Sequence, residues 1–237
     1  MELQIKQGDY VKALEYNLKA LSIREKALGA EHPDKAQTYN NIALIYHAQS
    51  DYVTALEYYE KALAIWKNGL DKLHPLIATA YNNIAVIYRM QGDYDKALEY
   101  YWKAITIREK VLGTEHPDTA TTYNNIAVVY IKNGDYDKTL EYCGKALAIR
   151  EKFLGIEHPD TASTYDTIAA VYYRQDDYER ALEWCLKSLP IFVRVLGVQH
   201  PNTEQVFNNM ADIYEESGKP EPFEEWLEKN LPELFGK

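Results

Sequence analysis

The chain has no excess of positive charge, almost no cysteine and no long apolar run. Its 26 basic side chains are outnumbered by 36 acidic ones, giving a formal charge of −10, so the electrostatic footprint of a nucleic-acid binder is missing. No apolar stretch approaches the length of a membrane span, and the opening "MELQIKQGDY" lacks the basic, apolar and small-residue order of a secretory signal. The sequence therefore points to a cytoplasmic protein with neither nucleic acid nor membrane as partner. The two cysteines, Cys143 and Cys185, lie one repeat period apart, at equivalent places too distant to bond in a regular array.

What is present is repetition. His-Pro recurs at His32-Pro33, His74-Pro75, His116-Pro117, His158-Pro159 and His200-Pro201, every step being 42 residues without an insertion. Gly8-Asp9-Tyr10, Ser50-Asp51-Tyr52, Gly92-Asp93-Tyr94, Gly134-Asp135-Tyr136 and Asp176-Asp177-Tyr178 keep the same period. A period of this size means a stacked array in which each unit buries its apolar face against its neighbours. The array occupies residues 1–217: a half repeat, hairpins starting near 33, 75, 117 and 159, and a last first-helix near 201. Residues 218–237 read as a capping helix and tail, with Phe223, Trp226, Leu227 and Leu231 on one face.

Within a period the spacing is helical. Ala78, Tyr81, Ala85 and Tyr88 step by three, four and three, Pro75 stands where a missing N–H costs nothing, and Gly92 closes the helix. Asp93 is a good N-cap for a second helix that runs to Gly113. Each repeat is thus a helical hairpin and the fold class is all-α. Columns of small residues, Ala43, Ala85, Ala127, Ala169 and Ala211 among them, let the helix axes approach closely. Pro190 interrupts this regularity, and the spacing predicts that helix 178–196 is distorted near its middle.

Ala85, Tyr88, Gly92, Tyr94, Ala97, Tyr101 and Ala104 follow the small, aromatic and glycine order of the tetratricopeptide repeat, which the chain resembles. The longer period and runs of the type "ALxIREKxLGxEHPDxAxTYNNIAxVYxxxGDY" resemble the kinesin light chain class of that family, over residues 9 to 217. The resemblance implies a right-handed superhelical solenoid of antiparallel helical hairpins. It also implies a concave groove that binds an extended or partly helical peptide, with no enzymatic activity and no cofactor in the repeats.

The stretch "GTEHPDTATTYNNIAVVY", with a histidine, two acids and an amide pair, suggests a catalytic or metal site only when taken alone. Equivalent residues of adjacent hairpins are separated by two helix layers, roughly 20 Å, so the histidines cannot share a metal. His116 and Asp118 mark the start of a helix, and neither metal ligands nor catalytic residues are assigned. The cysteines take the column of Tyr59 and Tyr101, which makes them packing residues.

The asparagines differ. The stripe beside the filled core of each first helix should face the groove, with Asn40, Asn82, Asn124 and Asn208 forming an amide ladder assisted by Asn41, Asn83 and Asn125. An amide offers both donor and acceptor and could clamp a peptide backbone. The outer positions vary, Tyr173 among them. Arg89, Lys132 and Arg174 place positive charge in an acidic protein, so the ligand-binding set is these residues and the ligand is a peptide or protein with acidic character. Asp166 and Thr167 replace the amide pair in one repeat and should weaken the ladder there.

Three classes of function follow: a peptide-binding adaptor, a regulatory segment of a larger enzyme or signalling ATPase, and a self-assembling scaffold. Met1 aligns with Ala43, halfway along a first helix. That register leaves Ala13, Leu14, Leu18 and Leu21 in need of cover, either by preceding repeats or by association of copies through the N-terminal hairpin.

Overall fold

The computed structural model describes residues 7–28 and 32–235. Among these lie α1 (Gln7–Leu28), α2 (Pro33–Ala48), α3 (Tyr52–Gly69), α4 (Pro75–Met90), α5 (Tyr94–Val111), α6 (Pro117–Lys132), α7 (Tyr136–Phe153), α8 (Pro159–Arg174), α9 (Tyr178–Leu196), α10 (Pro201–Glu216), α11 (Phe223–Asn230) and a 3-10 turn (Pro232–Phe235), with no strand. The chain divides into two compact units, 1–122 and 123–237. In the first, α2 packs on α3 and α4 on α5; in the second, α8 packs on α7 and α9, and α9 on α10. The stretch 1–6, on which the expectation of a shortened first helix rests, lies outside the described residues. Of the α1 residues said to need cover, Leu21 is buried, Ala13 and Leu14 are half-buried and Leu18 is exposed.

The His-Pro motif starts helices by a specific bond. Each histidine is an N-cap whose Nδ1 accepts a backbone N–H two residues on, from Asp34 (3.2 Å), Leu76 (3.2 Å), Asp118 (3.1 Å), Asp160 (3.1 Å) and Asn202 (3.2 Å). An N–H that the helix cannot satisfy is thereby paired, and the following proline fits the first helical position. We expect His116→Ala to lower stability by about 1 kcal/mol and His116→Asn to recover most of it. Thermal denaturation of the two variants tests this, and equal loss in both would show that the cap bond contributes nothing.

The hairpin turn needs a residue with positive φ. Gly92 supplies it at 80°, whereas Ser50 and Asp176 adopt 62° and 59° at the same position of other hairpins. Asp93 then caps α5 through Oδ1, which accepts the Lys96 N–H at 3.2 Å. Tyrosines close each hairpin. Tyr58 of α3 lies 5.9 Å from Tyr39 and 5.8 Å from Tyr46 of α2, and Lys61 sits 4.7 Å over its ring. The small columns lie underneath: Ala43, Ala55, Ala62, Ala85, Ala97 and Ala104 are all fully buried.

A second tie joins α1 to α2, α5 to α6 and α7 to α8. Arg108, at the end of α5, is buried; its Nη1 donates to the Asp118 carbonyl (2.8 Å) and to the Thr122 hydroxyl (2.5 Å) of α6. Arg150 repeats this with the Asp160 carbonyl (2.6 Å) and Thr164 (2.7 Å), and Arg24 with Asp34 and Thr38. Where the arginine position holds Trp66 or Phe192, the threonine position holds Ala80 or Val206. A buried cation without acceptors, or buried acceptors without a donor, would be costly, so the two positions change together.

Pro190 does not break α9, which continues from Tyr178 to Leu196. Proline removes the N–H that would have met the Leu186 carbonyl. The flanking Leu189, Ile191 and Phe192 are buried in the core of the second unit, and that packing holds the helix through the gap.

Candidate functional site

The amides of the first helices are engaged between hairpins. Asn83 Nδ2 of α4 donates to Asn40 Oδ1 of α2 at 3.3 Å, and Asn40 is only 6% exposed. In the second unit Asn124 Oδ1 accepts the Thr164 hydroxyl of α8 at 3.2 Å. Asn41 Oδ1 accepts Gln37 Nε2 within α2 at 3.0 Å, and Asn82 and Asn125 are also engaged. Tertiary bonds of this kind offset the poor helix propensity of asparagine. Asn40 and Asn83 still retain, respectively, an NH2 and a carbonyl that no described residue takes, so this amide pair can serve two partners at once. Asn208 is exposed on α10.

The basic residues separate into two kinds. Arg89, in the last turn of α4, is half-buried, and its Nε is enclosed without a hydrogen-bond partner. Burial pushes the Tyr101 phenol of α5 up to about 12, and the Arg89 charge pulls the other way, so that guanidinium lies toward the hairpin interior. Lys132 and Arg174, by contrast, are exposed at the ends of α6 and α8. Tyr173 joins α8 to α10: its hydroxyl donates to Glu216 Oε1 at 2.8 Å, and this bond, followed by burial, raises its pKa.

Asp166 interrupts the ladder chemically. Burial pushes its carboxyl up to about 6. The Cys185 thiol of α9 is raised to about 12, mainly by burial and further by the Asp166 charge, and burial likewise raises Cys143 to about 12. Such thiols are packing groups, poor as nucleophiles. Among the described residues no three His, Cys, Asp or Glu side chains are grouped to hold a metal, and no helix is long and apolar enough to cross a membrane.

Tandem hairpins of this period, closed by tyrosines and small residues, define a helical repeat protein of the tetratricopeptide type. The family model for the tetratricopeptide repeat matches residues 2–68, 76–132, 118–184 and 162–229, and the chain belongs to that family. Its fold is similar to BtubC (BKLC) from P. vanneervenii, with 21% identity, a TM-score of 0.69, and 92% of this chain and 85% of that one covered. It is also similar to the nearly identical TPR-like repeats of a kinesin light chain candidate from Podosopora anserina, with 25% identity, a TM-score of 0.65, and coverage of 81% and 90%. MamA shares the fold at 20% identity and a TM-score of 0.53, with 79% of this chain and 91% of that one covered. No curated protein matches the chain.

Proposed function

We propose that this chain is a non-catalytic, peptide-binding adaptor in which the interhairpin amides hold the ligand backbone. Tetratricopeptide repeats as a class mediate protein–protein interaction, and the family assignment supplies that general role. The observation that carries the finer reading is the Asn40–Asn83 pair, whose remaining donor and acceptor can bridge to a peptide without losing the bond between hairpins. Within the second unit, Lys132 and Arg174, exposed at helix ends, favour acidic residues in whatever peptide that unit binds, and affinity there should fall as salt is added. Arg89 contributes less to this charge, because its Nε is enclosed.

A peptide array followed by titration of the best binders tests the proposal. We expect Asn40→Ala/Asn83→Ala, which removes both partners and strands neither, to weaken the best peptide about tenfold, the loss of one or two hydrogen bonds. The melting temperature should change little. Unchanged affinity would overturn the amide reading, and an array yielding only basic or purely apolar binders would overturn the charge assignment.

A further inference from the structure

The last hairpin is incomplete in a way that creates a cavity. Its second helix, α11, has 8 residues where α3, α5 and α7 each have 18. Pro232 follows within two residues, and the residue before a proline is disfavoured in the helical region, so the chain leaves the helix there and makes only the short turn Pro232–Phe235. In the complete hairpin before it, Ala162 of α8 lies in the core with Leu189 and Phe192 from the second half of α9. The position equivalent to Ala162 in the last hairpin is Glu204, and α11 ends at Asn230 before it would cover that position. A cavity of about 420 Å³ takes that place, walled by Leu189 and Val193 of α9, Phe207 of α10, Leu227 of α11 and Leu234, with Val198 at its edge.

Three polar side chains line this cavity: Thr203, Glu204 and Asn208, the last a member of the expected amide ladder. Thr203 is 3% exposed and its hydroxyl has no hydrogen bond. The equivalent hydroxyls of Thr119 and Thr161 donate to the Gly113 and Gly155 carbonyls, each at 2.9 Å, so the repeats themselves are the control for what Thr203 has lost. The Glu204 carboxylate is exposed at the cavity and has neither a hydrogen bond nor an ion pair among the described residues, where the equivalent Ala36, Ala78, Ala120 and Ala162 are fully buried. The segment that carries Glu204 is acidic in sequence. Nine carboxylates face two lysines between 201 and 235, and both lysines are already paired, Lys219 with Glu179 and Lys229 with Glu221.

We propose that this cavity is a second binding site, which takes an apolar peptide side chain flanked by a lysine or arginine. The apolar walls receive the side chain, the Glu204 carboxylate pairs with the neighbouring cation, and the Thr203 hydroxyl donates to a backbone carbonyl of the same peptide. This site does not depend on the amide pair of the first unit.

Calorimetric titration with acetyl-Lys-Leu-Phe-Lys-amide and its acidic counterpart acetyl-Glu-Leu-Phe-Glu-amide tests it. The basic peptide should bind about two- to fivefold more tightly, as expected for one ion pair at an exposed carboxylate. Glu204→Ala installs the residue of the other hairpins, so the fold is retained, and the preference should disappear. Thr203→Val should weaken both peptides alike, and Asn40→Ala/Asn83→Ala should leave both dissociation constants unchanged. Absence of saturable binding to the unmodified protein, a preference that survives Glu204→Ala, or loss of binding in the amide variant would each overturn the assignment.

Discussion

Thr122→Val is expected to destabilise the protein by about 2 kcal/mol, more than a buried hydroxyl-to-methyl change usually costs, because it strands a buried cation. Arg108 is 6% exposed, and burial pulls its pKa down, opposed by the charge of Asp118. The guanidinium is held in that setting by the Asp118 carbonyl and the Thr122 hydroxyl. Losing the hydroxyl leaves the charge with one acceptor fewer. Losing the charge as well removes the demand: Phe192 with Val206 shows that an apolar pair serves at the same two positions. Arg108→Phe/Thr122→Val should therefore be less destabilised than the two single changes added together, with a coupling of about 1 kcal/mol or more. Urea denaturation of the four proteins measures it. Strict additivity would mean that the arginine and threonine do not depend on one another.

The second large effect is a gain. Asp166→Asn should stabilise the protein at neutral pH by on the order of 1–3 kcal/mol, since burial raises this carboxyl from 3.8 to about 6. The sign follows from linkage. Between those values the folded state holds the proton that the unfolded state has released, so the unmodified protein loses stability as pH rises through the window and levels off above it. The amide carries no charge and has no such dependence. The two proteins should be nearly equal below about pH 4 and farthest apart at about pH 7. Thermal denaturation across that range decides the matter, and a difference independent of pH would show that ionisation of Asp166 is not its cause.

The hairpins, their period and their starting residues were legible in the sequence, because His-Pro and Asp-Tyr recur without insertion and each has a local physical reason. The function of the histidine was legible as a helix start but not as a cap through Nδ1, since spacing does not reveal which ring nitrogen meets an N–H. The arginine and threonine tie was present as two columns, Arg24, Trp66, Arg108, Arg150, Phe192 against Thr38, Ala80, Thr122, Thr164, Val206. It is visible only when positions 14 apart are compared across repeats, whereas helical periodicity compares positions three and four apart. The candidate site was legible in its residue types and less so in their engagement. Asn40 and Asn83 belong to different hairpins, and Arg89 acts electrostatically on Tyr101 of the following helix. Such long-range pairings have no local signature.

The arginine and threonine tie also sets where the chain can be cut so that its own partners stay matched. The tie runs from the second helix of one hairpin to the first helix of the next, so a block cut at the His-Pro motif separates matched partners. Excising residues 75–116 would place Trp66 against Thr122, an indole against a hydroxyl that accepts from the Arg108 guanidinium in the intact chain. Excising residues 51–92 instead removes Trp66 together with Ala80 and leaves Arg24 with Thr38 and Arg108 with Thr122. The segment that keeps these partners matched is therefore offset by one helix from the visible hairpin: a second helix followed by a first, bounded at the Asp-Tyr turns.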